Sequence, residues 1–245
     1  MNRPLIFLAF IKNLKPKIYI FVQVLFILGQ LSCSYQPTKD ENTFVIATYD
    51  DVKDWDPATA FSLEVLPMSN IYEPLLWYDA GTKPGKILPG LATSYSKSSD
   101  GLIWKFHLRE NVYFHDGKKF NAHSVKFVVE RNKKLNGGAS YIWSAVDTII
   151  INSPYDITFV LSSPVPFDKI VSSQYGSWMY SPGISDISPD SLLNGYGFGT
   201  GPYRFKKWVR NKYILLEKFS TPSEGEFVTP WYNKITASSD SLVLK

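Results

Sequence analysis

A single cysteine, Cys33, leaves no partner for an intramolecular disulfide, so the fold of these 245 residues rests on burial and hydrogen bonding. Histidine is almost as scarce: His107, His115 and His123 make up the whole set, at an even spacing of eight. Zinc ligands on a helix come three or four apart and loop pairs about two to five apart, so this spacing argues against a metal centre. There is no G-x-S-x-G nucleophile elbow. Nor does a cluster of Lys and Arg mark a nucleic-acid surface. Of the 26 basic residues, Arg3, Lys12, Lys15 and Lys17 precede Cys33, where no acidic residue stands, and the remaining 22 match the 22 acidic ones.

Apolar and aromatic residues are plentiful, at 44% and 16%, enough to bury a core. The first 33 residues combine the basic stretch "KNLKPK" with the apolar run "IYIFVQVLFIL" from Ile18 to Leu28 and then "GQLSC". A run of eleven positions, apolar but for Gln23, falls short of the roughly 20 that span a bilayer and suits the core of an export signal. Cys33, directly after Ser32, resembles the lipobox cysteine of bacterial lipoproteins, which is acylated and becomes the mature N-terminus. The lipobox has Leu three places before the cysteine; here that place holds Gln30, with Leu31 one position late. Lipidation of Cys33 would hold the domain at a membrane surface. Residues 34–42, "SYQPTKDEN", then form a polar tether.

The β-branched stretch "TFVIATY" predicts a first strand over 43–49, ended by the acidic turn "DDVKDWDP". After Pro57, near-helical spacing predicts a helix kinked at Pro67 and stopped by Pro74. "LLWYD" reads as a strand and "AGTKPGKILPG" as a turn. In "IWKFHL", Trp104, Phe106 and Leu108 alternate with Ile103, Lys105 and His107, which puts His107 opposite the buried aromatics. Ser99-Asp100-Gly101 and His115-Asp116-Gly117 are turn sequences. "NAHSVKFVVERNKKLNGG" predicts a helix capped by Asn121, with Val125, Val128 and Val129 on one face, His123 in its first turn and a Gly137-Gly138 stop. "TIIINSPYDITFVLSSP" predicts a hairpin through Ser153-Pro154-Tyr155-Asp156, and "GYGFGTGPYRFKKWVRNKYILLEKF" a Gly-rich turn feeding another.

"GYGFGTG" lacks the Lys-Ser/Thr of a P-loop and leads into a strand, so a tight turn with closely packed backbones is the better reading. Asp50/Asp51 and Asp54/Asp56 read as turn residues. Aromatics in connecting segments, Tyr49, Trp55, Phe61, Tyr141, Trp143, Tyr175, Trp178 and Tyr180, divide between core and a ligand cleft. No nucleophile, base and orienter can be placed together, so no catalytic residue is assigned and an enzyme is not expected.

The run "LATSYSKSSDGLIWKFHLRENVYFHDGKKFNAHSVKFVVER" resembles the signature of the family 5 extracellular solute-binding proteins, the peptide/nickel/opine binders of ABC transporters. "WDPATA", "NIYEPLLWYD", "LSSPVPF", "GTGPYRFKKW" and "YILLEKF" match in the same order, so the resemblance covers 43 to about 240. It implies an α/β, periplasmic-binding-protein-like two-lobed clamp with an extra domain II, truncated before domain III. The implied layout is a signal peptide over 1–33, a tether over 34–42, domain I over 43–72 and 165–235, and domain II over 73–164. Residues 236–245 would start the crossover to domain III. By the same resemblance, Ala60, Phe61, Ser62 and Leu63 after the "DP" turn approach the ligand, and Tyr175 and Trp178 come from the loop after "PVPF". Nickel binders carry an arginine in that loop and this chain does not, which favours a peptide or similar organic solute. The family implies a monomer without cofactor or metal, working with ABC permease subunits outside the cytoplasmic membrane. A ligand-sensing receptor domain, or a remnant that binds nothing, is the alternative.

Overall fold

Ten strands and three short or medium helices stand among the described residues of the computed structural model, which are 43–48, 50–188, 191–192, 198–219 and 241–244. The expected leader with Cys33, the tether, Tyr49 and the stretch 220–240 lie outside the described residues. Residues 41–245 form one compact unit.

The first sheet joins distant parts of the sequence. β1 (Thr43–Ile46) pairs in parallel with β10 (Ser241–Leu244), which pairs antiparallel with β9 (Tyr213–Lys218), and β8 (Tyr203–Val209) follows across a tight hairpin. Asn211 in that hairpin sits at φ 57°, a left-handed turn conformation that asparagine tolerates better than most residues. The second sheet is antiparallel throughout, in the order β4 (Ala92–Lys97), β5 (Ile103–Leu108), β7 (Asp156–Leu161) and β6 (Val146–Ser153). A two-stranded ribbon, β2 (Leu76–Asp79) with β3 (Lys86–Pro89), lies between them in sequence. The stretch expected as a turn, 80–90, therefore contains a strand. Leu88 faces Trp77 across the ribbon, and Pro89 is tolerated because a two-stranded ribbon needs no second ladder from it.

Alternation in β5 works as the sequence predicts: Trp104, Phe106 and Leu108 are buried, while Ile103, Lys105 and His107 face out. The buried side carries a run of aromatic contacts, Phe106 edge-on to Phe159 at 5.6 Å and Phe159 tilted on Phe167 at 5.0 Å. Phe167 opens α3 (Phe167–Ile170), a single turn laid over this aromatic layer. Beneath the same sheet runs α2 (Ala122–Leu135), burying Val125, Val128 and Val129. Its start is set by Asn121, whose Oδ1 accepts from the amides of His123 and Ser124 while the Ser124 hydroxyl accepts from the Asn121 amide.

The remaining helix, α1 (Val65–Ile71), is shorter than the spacing after Pro57 suggested. Pro67 does not kink it, because it sits in the first turn, where a missing N–H costs nothing. The "GTG" turn packs on its end: a Cβ on Gly199 would stand 1.8 Å from the Ile71 carbonyl oxygen, so only glycine fits.

Candidate ligand site

The acidic turn after β1 is an anchored structure. Asp51 accepts hydrogen bonds from the amides of Val52 (2.9 Å) and Asn211 (2.6 Å) and from Trp208 Nε1 (2.9 Å), tying the turn to the β8–β9 hairpin. Trp55 is 2% exposed and packs edge-on against Phe205 and Trp208. Asp56 receives both terminal nitrogens of Arg131, at 2.8 and 2.6 Å, in the fork geometry that makes such pairs specific. That pair fastens the turn to α2.

From this anchored turn the chain passes through Ala60, Phe61, Ser62 and Leu63 into α1. Ala60 is buried at 1% exposure, Phe61 is exposed at 55%, and Ser62 adopts φ 130°. Tyr175 approaches from the other side. Its hydroxyl donates to the Ser62 carbonyl, and its ring lies 5.1 Å from that of Phe61. Gly176 fixes the Tyr175 backbone: it has φ 72°, and its carbonyl accepts from Asn132 Nδ2 and Trp143 Nε1, both at 2.8 Å.

A cavity of about 440 Å³ opens here, within the range of roughly 300–1,000 Å³ typical of small-ligand pockets. Ser62, Leu63 and Tyr175 line it together with Ala47, Thr48, Asp50, Val52, the α1 turn Val65–Pro67, Ile214 and Leu244. Ala47 and Thr48 follow directly from β1, and Leu244 closes β10, its parallel neighbour. The cavity therefore lies at the carboxyl ends of the parallel pair, where α/β sheets place their ligand crevices. A smaller cavity of about 230 Å³ adjoins it, sharing Thr48, Asp50, Ile214 and Leu244.

Among the residues expected at a ligand, Ser62, Leu63 and Tyr175 come together at one cavity, and Phe61, next to Ser62 in the chain, sets its ring against Tyr175. Ala60, Phe61 and Trp178 are not among the residues that line it. Trp178 is fully buried between Tyr72, tilted at 6.2 Å, and Tyr175, edge-on at 5.9 Å. Of the loop aromatics, Trp55, Trp143 and Tyr180 are also buried, whereas Tyr141 is exposed. The sequence reading missed Ala47, Thr48, Asp50, Ile214 and Leu244. Their common signal is the β1–β10 pairing, which no local pattern reveals.

The histidines lie elsewhere. His107 Nδ1 is 2.7 Å from Asp156 Oδ1 on the outer face of the second sheet, His115 Nε2 is 2.9 Å from the Gly201 carbonyl, and His123 is exposed in the first turn of α2. Among the described residues no group of three or more His, Cys, Asp or Glu is arranged to hold a metal ion, and no helix is long and apolar enough to cross a membrane.

Comparison with known proteins places this architecture. The family model for bacterial extracellular solute-binding proteins, family 5 Middle, matches residues 86–222, more than half of the chain. The chain belongs to this family. It is 30% identical over 191 residues to the glutathione-binding protein GsiB of Pectobacterium atrosepticum, covering 74% of this chain and 35% of that one. The periplasmic binding protein DppA of Helicobacter pylori, solved in complex with the peptide STSA, superposes with a TM-score of 0.68 at 27% identity, covering 83% of this chain and 42% of the other. NikZ of Campylobacter jejuni, solved in complex with Ni(L-His), gives 0.68 at 26% identity over 83% and 39%. The fold is thus the mixed α/β fold of family 5 binding proteins, and the chain spans about a third of the length of the curated relatives it matches.

Proposed function

We propose that this chain is the solute-capturing component of an ABC importer, binding a small peptide or similar organic solute outside the cytoplasmic membrane and delivering it to permease subunits. The observation that carries this reading is the cavity at the carboxyl ends of β1 and β10, walled largely by aliphatic side chains with Thr48, Asp50, Ser62 and Tyr175 as its polar groups. Such a wall suits an organic solute with apolar side chains and a few hydrogen-bonding groups. Among the described residues that line it there is no Lys, Arg, His or Cys, so a chelate carboxylate would find no cationic partner in this wall, while the Asp50 carboxylate suits an ammonium or amide donor of an organic solute. Relatives that bind glutathione or a peptide support the same choice.

In this reading residues 43–72 and 165–235 belong to domain I and residues 73–164 to domain II, with the ligand against domain I. Capture works by closure around the solute, with no covalent step. Acylation of Cys33 holds the monomer at the membrane, and residues 34–42 give it reach. Isothermal titration of the full chain against a di- and tripeptide pool, with glucose and nickel-histidine as controls, tests the assignment. Heat of binding is expected with peptides; binding of either control with no response to peptides would overturn it.

A further inference from the structure

Ser62 is an outlier of a particular kind. The other non-glycine residues with positive φ are Asn111, Asn136 and Asn211, at 49° to 57°, inside the left-handed region that asparagine tolerates. A serine at 130° lies beyond that region, in backbone space that L-residues occupy only when their surroundings impose it. Two groups hold its carbonyl: the Val65 amide donates to it at 3.4 Å from the start of α1, and the Tyr175 hydroxyl donates to it from 113 positions away. Tyr175 in turn is seated by Trp178 and Gly176, and the bonds that fix Gly176 come from Asn132 and Trp143. None of these belongs to the loop being held. The frame is therefore independent of the segment it constrains.

The constraint has a product. With Ser62 in this state Phe61 stands 55% exposed beside two residues that line the cavity, joined to Ser62 in the chain and tilted at 50° against the Tyr175 ring. Exposed apolar side chains are ordinary on a surface, but an aromatic pair of this kind offers rigid contact area at low entropic cost.

Building on the solute-binding reading above, we propose that Tyr175 is a positioning residue and that Phe61 is the specificity-determining contact it positions. The hydroxyl latches Ser62, the latched backbone turns Phe61 out, and the Phe61–Tyr175 lip selects solutes that present a branched or aromatic side chain to the cavity.

The test is a double-mutant cycle in the full chain, combining Tyr175→Phe with Ser62→Gly, because glycine adopts φ 130° without help. Hydrogen exchange read by mass spectrometry over 60–64 is expected to quicken about tenfold for Tyr175→Phe in the Ser62 background and by less than about threefold in the Ser62→Gly background. The second arm titrates alanyl-leucyl-alanine and trialanine. Wild type is expected to favour the leucyl peptide by at least about tenfold, Tyr175→Phe by less than about threefold, and the double variant to recover most of the preference. Unchanged exchange in Tyr175→Phe would overturn the latch, and an unchanged peptide ratio would overturn the lip. If wild type binds neither peptide, the peptide reading and the lip's selective role both fall, while the exchange arm still decides the latch.

Discussion

Glu73 is a carboxyl group placed where water scarcely reaches it, 6% exposed, with the Thr200 hydroxyl donating to it at 2.8 Å. Burial pushes its pKa up from the usual 4.5 to about 7, against the opposing pull of the Thr200 hydrogen bond and the Arg109 charge. The sign of the consequence follows from linkage. Between pH 4.5 and about 7 the unfolded chain has released the proton that the folded chain still holds, so stability falls as pH rises through this window and levels off above it. A displacement of this size corresponds to about 3 kcal/mol. Glu73→Gln keeps an acceptor for Thr200 and removes the titration. Urea unfolding of wild type and variant at about pH 4.5, 6 and 8 should show the stability difference swinging by about 3 kcal/mol in favour of the variant as pH rises. A difference that stays flat across the series would mean that Glu73 titrates in the folded protein as it does in the unfolded chain.

At the scale of elements, α2 is the member that joins the two sheets' surroundings to the candidate site. Its capping box begins it at Asn121, its valines bury against the second sheet, and its polar side chains reach elsewhere. Arg131 holds Asp56, and Asn132 both donates to the Gly176 carbonyl and accepts from the Tyr180 hydroxyl at 2.5 Å. Loosening α2 would therefore loosen the turn that carries Tyr175. Asn121→Ala removes the side chain that satisfies two first-turn amides and should cost about 1 kcal/mol, with Asn121→Ser costing less than about 0.5 kcal/mol because serine also caps. Denaturant midpoints at constant slope measure both. Equal losses in the two variants would show that the cap hydrogen bonds are not what stabilises this end of the helix.

Over the whole molecule, what could be read from the sequence is what a single segment decides. The period of "IWKFHL", the Asn121 cap and the Ser153–Asp156 turn each follow from side chains a few positions apart, and each stands in the structure as the pattern dictates. What could not be read is the pairing of segments far apart in the chain. Strand β10 lies about 200 positions from β1, Thr200 is 127 positions from Glu73, and no periodicity links them. The candidate site shows the same division. Resemblance to a family points to Ser62, Leu63 and Tyr175, which line the cavity, and equally to Ala60, Phe61 and Trp178, which are not in its lining, because resemblance places a stretch of chain and not the direction of each side chain. The histidines test how far the scaffold and the site are separable. None of the three lines the 440 Å³ cavity, yet two take part in contacts: the half-exposed pair of His107 with Asp156, worth about 0–1 kcal/mol, and the His115 hydrogen bond to the Gly201 carbonyl, worth about 1 kcal/mol. Replacing them together, as His107→Gln, His115→Gln and His123→Gln, should lower stability by about 1–2 kcal/mol and leave the dissociation constant of a peptide bound by wild type within about twofold. Thermal melting and titration calorimetry on the same preparation read both quantities. A tenfold loss of affinity without unfolding would place a histidine in the ligand's path and reopen the case for metal or acid-base chemistry in this chain.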